Sequence, residues 1–287
     1  MDNPQPFTLS RPGGGVLHGL LDLPAAPGRR PAVVICHGFK GFMEWAFFPP
    51  LARLLAERGF VAVRFNLAGA GMQPGDERVT DPAAFRANTH SQEVADLLRV
   101  LEAAGTEIGA ERIDTARIGL LGHSRGGGAA ILAAARPSWR ERIRALVTWA
   151  AISRVDRYSG EEKRRWRESG ELAVINARTG QRLALGTALL DDIESHESHE
   201  SHGAGGLDIL AAAGLRSSPW LIVHGAEDET VPPDEAGALA AAAAPPRELL
   251  LIPGADHTFG ARHPFAGPTP FLIQALNATQ TWFRRHL

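Results

Sequence analysis

A serine at the centre of a glycine-rich turn is the residue of this chain best suited to act as a nucleophile. The turn reads Gly122-His123-Ser124-Arg125-Gly126, with an apolar run over 118–121 before it and a helical run over 129–135 after it. Glycines two positions before and after the serine let the backbone fold back on itself. A strand, a sharp turn and a helix in this order display a serine hydroxyl at the carboxyl end of a sheet. The pattern predicts a nucleophile at Ser124, the alternative being a serine that only caps a helix.

A serine hydroxyl becomes a useful nucleophile only when a base takes its proton. His257 lies in the loop after the apolar run 248–252, and Asp228 lies in the loop after the run 220–223. Because parallel strands place their carboxyl ends at the same edge of a sheet, these loops should meet at the serine. We therefore predict His257 as the base and Asp228 as the acid that orients it.

Three other carboxylates compete for the role of the acid. Glu227 and Glu229 flank Asp228 directly, and spacing alone does not choose among these three residues. Asp256 immediately precedes His257, and a neighbouring side chain usually points in another direction. We interpret Asp256 as a turn residue or as a residue that supports the catalytic side chains.

A serine activated in this way can attack the carbonyl carbon of an acyl group. That reaction needs hydrogen-bond donors for the negative oxygen of its tetrahedral intermediate. The first donor should be the backbone N–H that follows the nucleophile, that of Arg125. The second should come from the loop His37-Gly38-Phe39, which follows the apolar run that ends at Cys36. Gly38 permits an unusual backbone conformation, so we expect the N–H of Phe39 to be this donor, a plain tight turn being the alternative.

Side chains around these motifs are expected to support the site. His37 and His123 should brace their loops by hydrogen bonds rather than take part in the reaction. The Arg125 guanidinium should pair with a carboxylate, an anionic substrate being the alternative partner. Trp149, at the end of a core strand, and Trp166 are candidates for lining an acyl pocket, with core packing an equal alternative for Trp149.

The rest of the chain alternates apolar runs with amphipathic ones, which indicates strands and helices in turn. Beyond an edge hairpin over 7–23, we expect strands over 32–36, 60–65, 117–121, 143–149, 220–223 and 248–252. Helices are expected over 51–58, 91–104, 129–135, 234–243 and 271–285. This order predicts a single α/β domain over 1–287, with a mainly parallel sheet covered by helices on both faces.

One segment, 153–206, interrupts this order because it is polar, charged and without a clear strand. Since it falls between two core strands, we expect it to form a small cap over one end of the sheet. It contains the triplet Glu-Ser-His three times in succession over 194–202. Histidines at this spacing share one side of a helix and could bind a metal, but a low-complexity loop without a metal is the expectation.

The composition is that of an ordinary globular protein of 287 residues, with 44% hydrophobic and 22% charged residues. A net charge of -2 gives no reason to expect a nucleic-acid partner. The single cysteine, Cys36, excludes an intrachain disulfide. We see no signal-peptide pattern and no apolar run of the roughly 18 residues that cross a membrane, so a cytoplasmic protein without membrane contact is expected. The sequence leaves the oligomeric state open.

In these motifs the sequence resembles the α/β-hydrolase superfamily, and within it the bacterial dienelactone-hydrolase-like and feruloyl-esterase-like members. The resemblance is carried by residues 37–39, 69–71, 122–128, 224–228 and 254–257. It implies an eight-stranded, mostly parallel sheet with a small inserted cap, and it places the acid at Asp228. It also implies that a small-molecule carboxylic ester is cleaved through an acyl-enzyme intermediate, with no metal or organic cofactor.

Two departures limit what the resemblance implies. Dienelactone hydrolases carry a cysteine where this chain has Ser124, so their own reaction is not expected. The loop 66–72 reads Asn-Leu-Ala-Gly-Ala-Gly-Met where many relatives have Asp-x-Arg-Gly-His-Gly. The side-chain contacts of that Asp and Arg are therefore not carried over to this chain.

Several other functions remain open at this stage. A thioesterase or a small-peptide amidase would use the same three residues as an esterase. A cofactor-free perhydrolase or C–C bond hydrolase is a further alternative, as is a non-enzymatic ligand-binding relative. The complete set of Ser124, Asp228 and His257 argues against the non-enzymatic alternative.

Overall fold

The structure of the chain is a computed structural model that describes residues 3–12, 14–197 and 206–287. Within these ranges the strands are β1 (Gln5–Ser10), β2 (Val16–Asp22), β3 (Arg30–Cys36), β4 (Val61–Phe65), β5 (Ile113–His123), β6 (Ile143–Trp149), β7 (Glu171–Ile175), β8 (Arg182–Gly186), β9 (Trp220–Gly225) and β10 (Arg247–Ile252). The helices are α1 (Phe48–Glu57), α2 (Pro82–Ala87), α3 (His90–Ala103), α4 (Arg125–Ala135), α5 (Gly160–Ser169), α6 (Thr187–Glu197), α7 (Ile209–Leu215), α8 (Pro233–Ala242) and α9 (Pro270–His286), with a short 3₁₀ turn at Ala68–Ala70.

Eight of these strands form one sheet in the order β1-β2-β4-β3-β5-β6-β9-β10. The pairs β1–β2 and β2–β4 are antiparallel, whereas the neighbouring pairs from β4 across to β10 are parallel. The strand β3 is buried on both faces because its run 31–36 contains no polar residue to turn toward solvent. The predicted eight-stranded, mostly parallel sheet is confirmed.

Helices cover both faces of this sheet, as predicted. The helices α3, α4, α7 and α8 pack on one face, and α1 and α9 pack on the other. In α9, Leu272, Ala275, Leu276, Thr279 and Phe283 lie on one side of the helix and form the stripe that is buried. None of the helices that the structure describes is long and apolar enough to cross a membrane.

The register of the sheet aligns the carboxyl ends of its central strands. Cys36 at the end of β3 pairs with Gly122 of β5, and Gly225 at the end of β9 pairs with Ile252 at the end of β10. The loops that follow these strands therefore leave the sheet at the same edge, although they are far apart in the chain.

The segment between β6 and α7 differs from expectation because it contains two strands. The strands β7 and β8 form an antiparallel hairpin separate from the main sheet. Leu172 and Val174 alternate with exposed residues and pair with Leu185 and Leu183, so the hairpin buries only one side. The expectation that 153–206 lacks a strand is wrong. Each strand is five residues long, and such a short alternation is a weak signal among charged neighbours.

This inserted segment packs against the carboxyl edge of the sheet. Trp166 of α5 shares an apolar cluster with Phe42 and Phe85 of the main body. The side-chain amide of Gln181 accepts from the N–H of Val79 at 3.0 Å and donates to its carbonyl at 2.9 Å. This segment therefore contacts the parts of the chain that follow β3 and β4.

The Glu-Ser-His repeat is described only in part. Its first triplet, Glu194–His196, continues the helix α6, so the expected loop is wrong for these residues. The side chains of Ser91 and His196 lie 3.3 Å apart, which joins α6 to α3. The rest of the repeat, from residue 198 onward, lies outside the described residues.

Candidate active site

Ser124 occupies the turn between β5 and α4, where its backbone adopts φ 56° and ψ −123°. A positive φ is strained for a residue with a Cβ atom, and the surrounding glycines make it attainable. A Cβ atom at Gly122 would collide with the carbonyl of Gly126, and one at Gly126 would collide with the carbonyl of His37. The turn leaves Ser124 partly exposed at the carboxyl edge of the sheet.

The loops after β9 and β10 bring the predicted acid and base to this serine. The Nε2 atom of His257 lies 3.0 Å from Ser124 Oγ, and its Nδ1 atom lies 2.8 Å from Asp228 Oδ2. An ionised carboxylate only accepts, so Nδ1 carries the proton and Nε2 is left to accept from the serine hydroxyl. Two hydrogen bonds therefore connect the three side chains in series.

The competing carboxylates lie elsewhere. Glu227 and Glu229 are exposed to solvent on either side of the buried Asp228. Asp256 uses its Oδ1 atom to accept from the backbone N–H groups of Thr258 at 2.9 Å and Gly260 at 2.7 Å. Asp256 therefore closes a turn, as interpreted from its position in the sequence.

The Asp228 carboxylate is surrounded by donors. Its Oδ1 atom accepts from the backbone N–H groups of Thr230 at 2.9 Å and Val231 at 2.8 Å. Its Oδ2 atom faces His257 and also lies 3.3 Å from Nε2 of His224. Burial alone would raise the pKa of Asp228, but hydrogen bonds from the two histidines outweigh it and hold this pKa well below its usual range. The carboxylate is therefore ionised at neutral pH.

His123 supports the loop that carries the base. Its Nε2–H donates to the backbone carbonyl of His257 at 3.1 Å. Burial, and then the charge of a protonated His257 nearby, lower the pKa of His123 to about 3. His123 is therefore a neutral donor, and it holds the backbone of the base in place.

His37 supports the loop after β3. Its Nδ1–H donates to the carbonyl of Gly38 at 2.9 Å, and its Nε2 atom accepts from the N–H of Leu67 at 3.1 Å. Burial lowers the pKa of His37 to about 4, so the ring is neutral and can accept. The ring thereby joins the loop after β3 to the loop after β4.

The two backbone amides predicted as oxyanion donors lie beside the serine. A Cβ atom at Gly38 would be only 2.9 Å from the Cβ atom of Ser124, so this loop touches the nucleophile. Neither the N–H of Phe39 nor that of Arg125 donates a hydrogen bond to any residue that the structure describes. Among the described residues both amides therefore lack an intramolecular acceptor, as an oxyanion donor must before substrate binds.

The side chain of Arg125 turns inward and pairs with a carboxylate, the first of its two expected partners. Its Nε atom lies 2.6 Å from Oε2 of Glu93, whose Oε1 atom accepts from the Asn88 amide at 2.7 Å. Its guanidinium carbon lies 5.4 Å from the centre of the Phe39 ring. Burial raises the pKa of Glu93, while the charge of Arg125 opposes that rise. The pair joins the first residue of α4 to the first turn of α3.

Sequence reasoning missed two polar residues at the site. His224 is fully buried at the end of β9 beside the acid, and Glu93 is buried in α3. A histidine inside the otherwise apolar run 220–225 was a signal, because a buried polar side chain needs a partner. Glu93 also carried a signal, since it lies four residues before Leu97 and therefore on the buried side of α3.

The two tryptophans do not lie where a pocket was expected. Trp149 is fully buried, packs against Phe47 and donates from its indole nitrogen to Thr279 Oγ1 at 2.9 Å. Trp166 is also buried and donates to the carbonyl of Leu185 at 3.0 Å. Neither side chain presents accessible surface, so the structure corrects the expectation that they line an acyl pocket. Trp149 belongs to the core of the sheet, and Trp166 belongs to the core of the insertion.

Cys36 is a core residue at the end of β3. Its thiol is fully buried, and burial raises the pKa of Cys36 well above its usual range. Cys36 therefore stays a protonated thiol and cannot reach a substrate. Across residues 3–12, 14–197 and 206–287, no three His, Cys, Asp or Glu side chains are grouped as metal ligands would be.

Curated relatives align with little more than half of the chain. The uncharacterized 31.7 kDa protein in the traX-finO intergenic region of Escherichia coli is 29% identical over 174 residues. That alignment covers 58% of this chain and 56% of the relative, so the chain spans only about half the length of this relative.

Solved structures resemble the whole chain in fold. Est1E from Butyrivibrio proteoclasticus, with ferulic acid bound, has a TM-score of 0.70 at 23% identity and covers 94% of this chain and 95% of its own. The esterase domain of a Rhodothermus marinus protein has a TM-score of 0.67 at 18% identity and covers 99% of each chain. At such low identity these similarities concern the fold alone.

A family profile covers most of the chain. The profile described as "Alpha/beta hydrolase family" matches residues 33–267, a range that contains Ser124, Asp228 and His257. The protein therefore has the α/β-hydrolase fold and belongs to the alpha/beta hydrolase family.

Proposed function

We propose that the protein is a serine hydrolase that cleaves carboxylic esters through an acyl-enzyme intermediate. One observation carries the proposal: Ser124 Oγ lies 3.0 Å from His257 Nε2, while His257 Nδ1 lies 2.8 Å from Asp228 Oδ2. A hydroxyl bonded to an imidazole, which a buried carboxylate in turn orients, is the arrangement that activates a serine.

The first half of the reaction acylates the serine. Ser124 Oγ attacks the carbonyl carbon of the ester as its proton passes to His257 Nε2. The carbonyl oxygen becomes negative and accepts from the amides of Phe39 and Arg125. Asp228 stays ionised and stabilises the imidazolium. The bond to the alcohol oxygen breaks as His257 returns its proton to that oxygen, and the acyl group stays on Ser124.

The second half releases the acid. A water molecule attacks the acyl-serine carbonyl while His257 takes one of its protons. The tetrahedral intermediate collapses, Ser124 regains its proton from His257, and the carboxylic acid leaves. All proton transfers pass through one nitrogen of one histidine, so the mechanism needs no other acid or base.

Labelling with a fluorophosphonate tests whether Ser124 is activated. We expect intact-mass analysis to show one adduct on the wild type and none on Ser124→Ala. Ser217→Ala, which removes an exposed serine far along the chain, is the matched control and should still be labelled. A folded wild type that takes up no label would contradict the proposal.

A panel of substrates tests the ester assignment. A thioesterase or a small-peptide amidase would use the same residues, so only the leaving group separates these activities. We expect kcat/KM to be highest for p-nitrophenyl esters, compared with acyl thioesters and peptide anilides. A higher kcat/KM for either of the other two classes would replace the esterase proposal while leaving the role of Ser124 intact.

A further inference from the structure

His224 stands in direct contact with the acid of the triad. It is the fifth residue of β9, its backbone pairs with Leu251 of β10, and its side chain is fully buried. Its Nε2 atom lies 2.8 Å from the carbonyl oxygen of Val231 and 3.3 Å from Oδ2 of Asp228. The ring therefore lies between a rigid strand and the loop that carries the acid.

The partners of this ring define its protonation state. Both atoms that face Nε2 are acceptors, so Nε2 must carry a proton. The Nδ1 atom is buried and has no hydrogen-bond partner among the residues that the structure describes. A proton on Nδ1 alone would leave two acceptors facing an unprotonated Nε2, so the tautomer has its proton on Nε2. His224 thus offers one donor, and it faces Asp228 and Val231.

The Nδ1 atom of His224 is buried and has no hydrogen-bond partner among the described residues, so packing alone does not favour a histidine here. A buried nitrogen without a partner destabilises the fold, and an apolar side chain of similar size would avoid that cost. What an apolar side chain could not supply is the Nε2–H donor. The contribution that only a histidine makes at this position is therefore the Nε2–H donor.

The donor bonds to the Val231 carbonyl at 2.8 Å and also makes a second histidine contact, at 3.3 Å, with Oδ2 of the carboxylate. Oδ1 of Asp228 is held by two backbone amides, while Oδ2 is shared by the two histidines His257 and His224. Without His224, only His257 would face Oδ2, and the amides on Oδ1 alone would oppose small rotations of the carboxylate about its Cβ–Cγ bond.

We propose that His224 is a positioning residue for the hydrolytic reaction. Its Nε2–H holds Oδ2 of Asp228 in place against His257, and it weakens the electrostatic attraction between that oxygen and the base. The inference rests on the proposed roles of Asp228 and His257. A donor on Oδ2 withdraws negative charge from the oxygen that His257 faces. Removing it should both loosen the orientation of the base and make its imidazolium easier to form.

Few other charges reach this cluster. His123 faces His257 from the end of β5 and is neutral, with its pKa lowered by burial to about 3. The guanidinium of Arg157 donates to the carbonyl of Thr230 in the acid loop, and its charge is paired with Glu235. Because neither Gln nor Asn at position 224 carries an ionisable group, a difference in pH profile between these two variants reports on the Asp228–His257 pair.

Three variants test the proposal by separating the donor from the volume. In His224→Gln the amide nitrogen can reach the place of Nε2, whereas in His224→Asn it takes the place of Nδ1 and falls short of Asp228. His224→Leu removes every donor. With p-nitrophenyl ester as substrate, we expect His224→Asn and His224→Leu to lower kcat about tenfold with little change in KM, as for other residues that orient catalytic ligands. His224→Gln should recover most of that loss.

The pH profile is the readout that a merely structural role would not move. In His224→Asn and His224→Leu, we expect the midpoint of the acidic limb of kcat/KM to move to higher pH by about half a unit or more, because Asp228 then holds the imidazolium more firmly. His224→Gln should keep the midpoint of the wild type. Thermal unfolding measured in parallel separates these effects from loss of the fold. If His224→Leu does not fold, the pH profiles of His224→Gln and His224→Asn still test the proposal.

Equal pH profiles for His224→Gln, His224→Asn and the wild type would overturn the proposal and leave His224 as a core residue. Failure of the proposed function gives a different result. In that case Ser124→Ala would retain the turnover of the wild type, whatever the His224 variants do.

Discussion

Arg125 and Glu93 form an ion pair in the interior of the protein, with Nε of the first 2.6 Å from Oε2 of the second. The pair lies directly behind the turn that carries Ser124. Because the backbone amide of Arg125 is one of the two proposed oxyanion donors, the ion pair connects the position of that donor to the helix α3. Two buried charges offset their cost of desolvation only while both are present.

Glu93→Ala should therefore destabilise the fold by about 3–5 kcal/mol, because it leaves the Arg125 guanidinium buried without its carboxylate. Urea unfolding measures this loss. The matched control is Glu171→Ala, which breaks an ion pair with Arg86 whose side chains are 52% and 49% exposed. That change should cost less than about 1 kcal/mol. Equal losses in the two variants would contradict the structural role of the buried pair.

Gly38→Ala should lower kcat while leaving the fold intact. The added Cβ atom would lie 2.9 Å from the Cβ atom of Ser124 and 3.0 Å from the carbonyl oxygen of His123, so the loop with the Phe39 amide must move. Loss of one oxyanion donor lowers kcat by roughly 10²-fold or more. Gly237→Ala, in α8 with open space around the added atom, is the control and should keep full activity. Unchanged kcat in Gly38→Ala would argue against the proposed oxyanion loop.

Asp228→Asn should lower kcat by about 10⁴-fold, since an amide no longer holds the imidazole in the tautomer that the reaction needs. Steady-state kinetics with an ester substrate measures the effect. Asp256→Asn is the control, because an asparagine oxygen can still accept from the backbone N–H groups of Thr258 and Gly260. We expect it to retain activity within a few-fold. A severe loss in Asp256→Asn with a mild one in Asp228→Asn would reverse the assignment of the acid.

The free energy of unfolding should fall as the pH is lowered from about 6.5 toward 4. An unfolded histidine takes up a proton near pH 6.5, whereas burial lowers the pKa of His37 to about 4 and that of His123 to about 3. Between these values the unfolded state binds more protons, so stability is complete above the unfolded pKa and is lost with acid. These two groups alone give a slope of roughly 2 kcal/mol per pH unit near pH 5, and the raised pKa values of the buried Glu93 and Asp96 oppose it in part.

Urea unfolding at pH 7, 6 and 5 measures that slope. Burial also lowers the pKa of His90, which adds in the same direction. His123→Gln keeps a donor for the His257 carbonyl but does not titrate, so it should reduce the slope by about 1 kcal/mol per pH unit. The low pKa of Asp228 costs stability only below about pH 4, outside this range. A slope that is the same in His123→Gln and the wild type would contradict the prediction.

Signals that lie close together in the chain made the fold predictable. The short, β-branched apolar run that forms β3 is typical of a strand buried on both faces, and the glycines around Ser124 mark a turn between a strand and a helix. The hairpin β7–β8 shows the opposite case. Its two five-residue strands bury one side against Trp166 and its neighbours, a contact that no local pattern announces.

By itself the sequence determined the order of the strands in the main sheet and of five helices, α1, α3, α4, α8 and α9, and it placed Ser124, Asp228 and His257 each in a loop after a strand. These features depend on local patterns of apolar residues and turns, which a single chain displays directly. Only the tertiary structure decided which of three adjacent carboxylates meets His257, that Glu93 pairs with Arg125, that His224 lies against the acid and that both tryptophans are core residues. Those outcomes depend on the direction of side chains in loops and on contacts between residues distant in the chain, and both arise only when the strands align their ends.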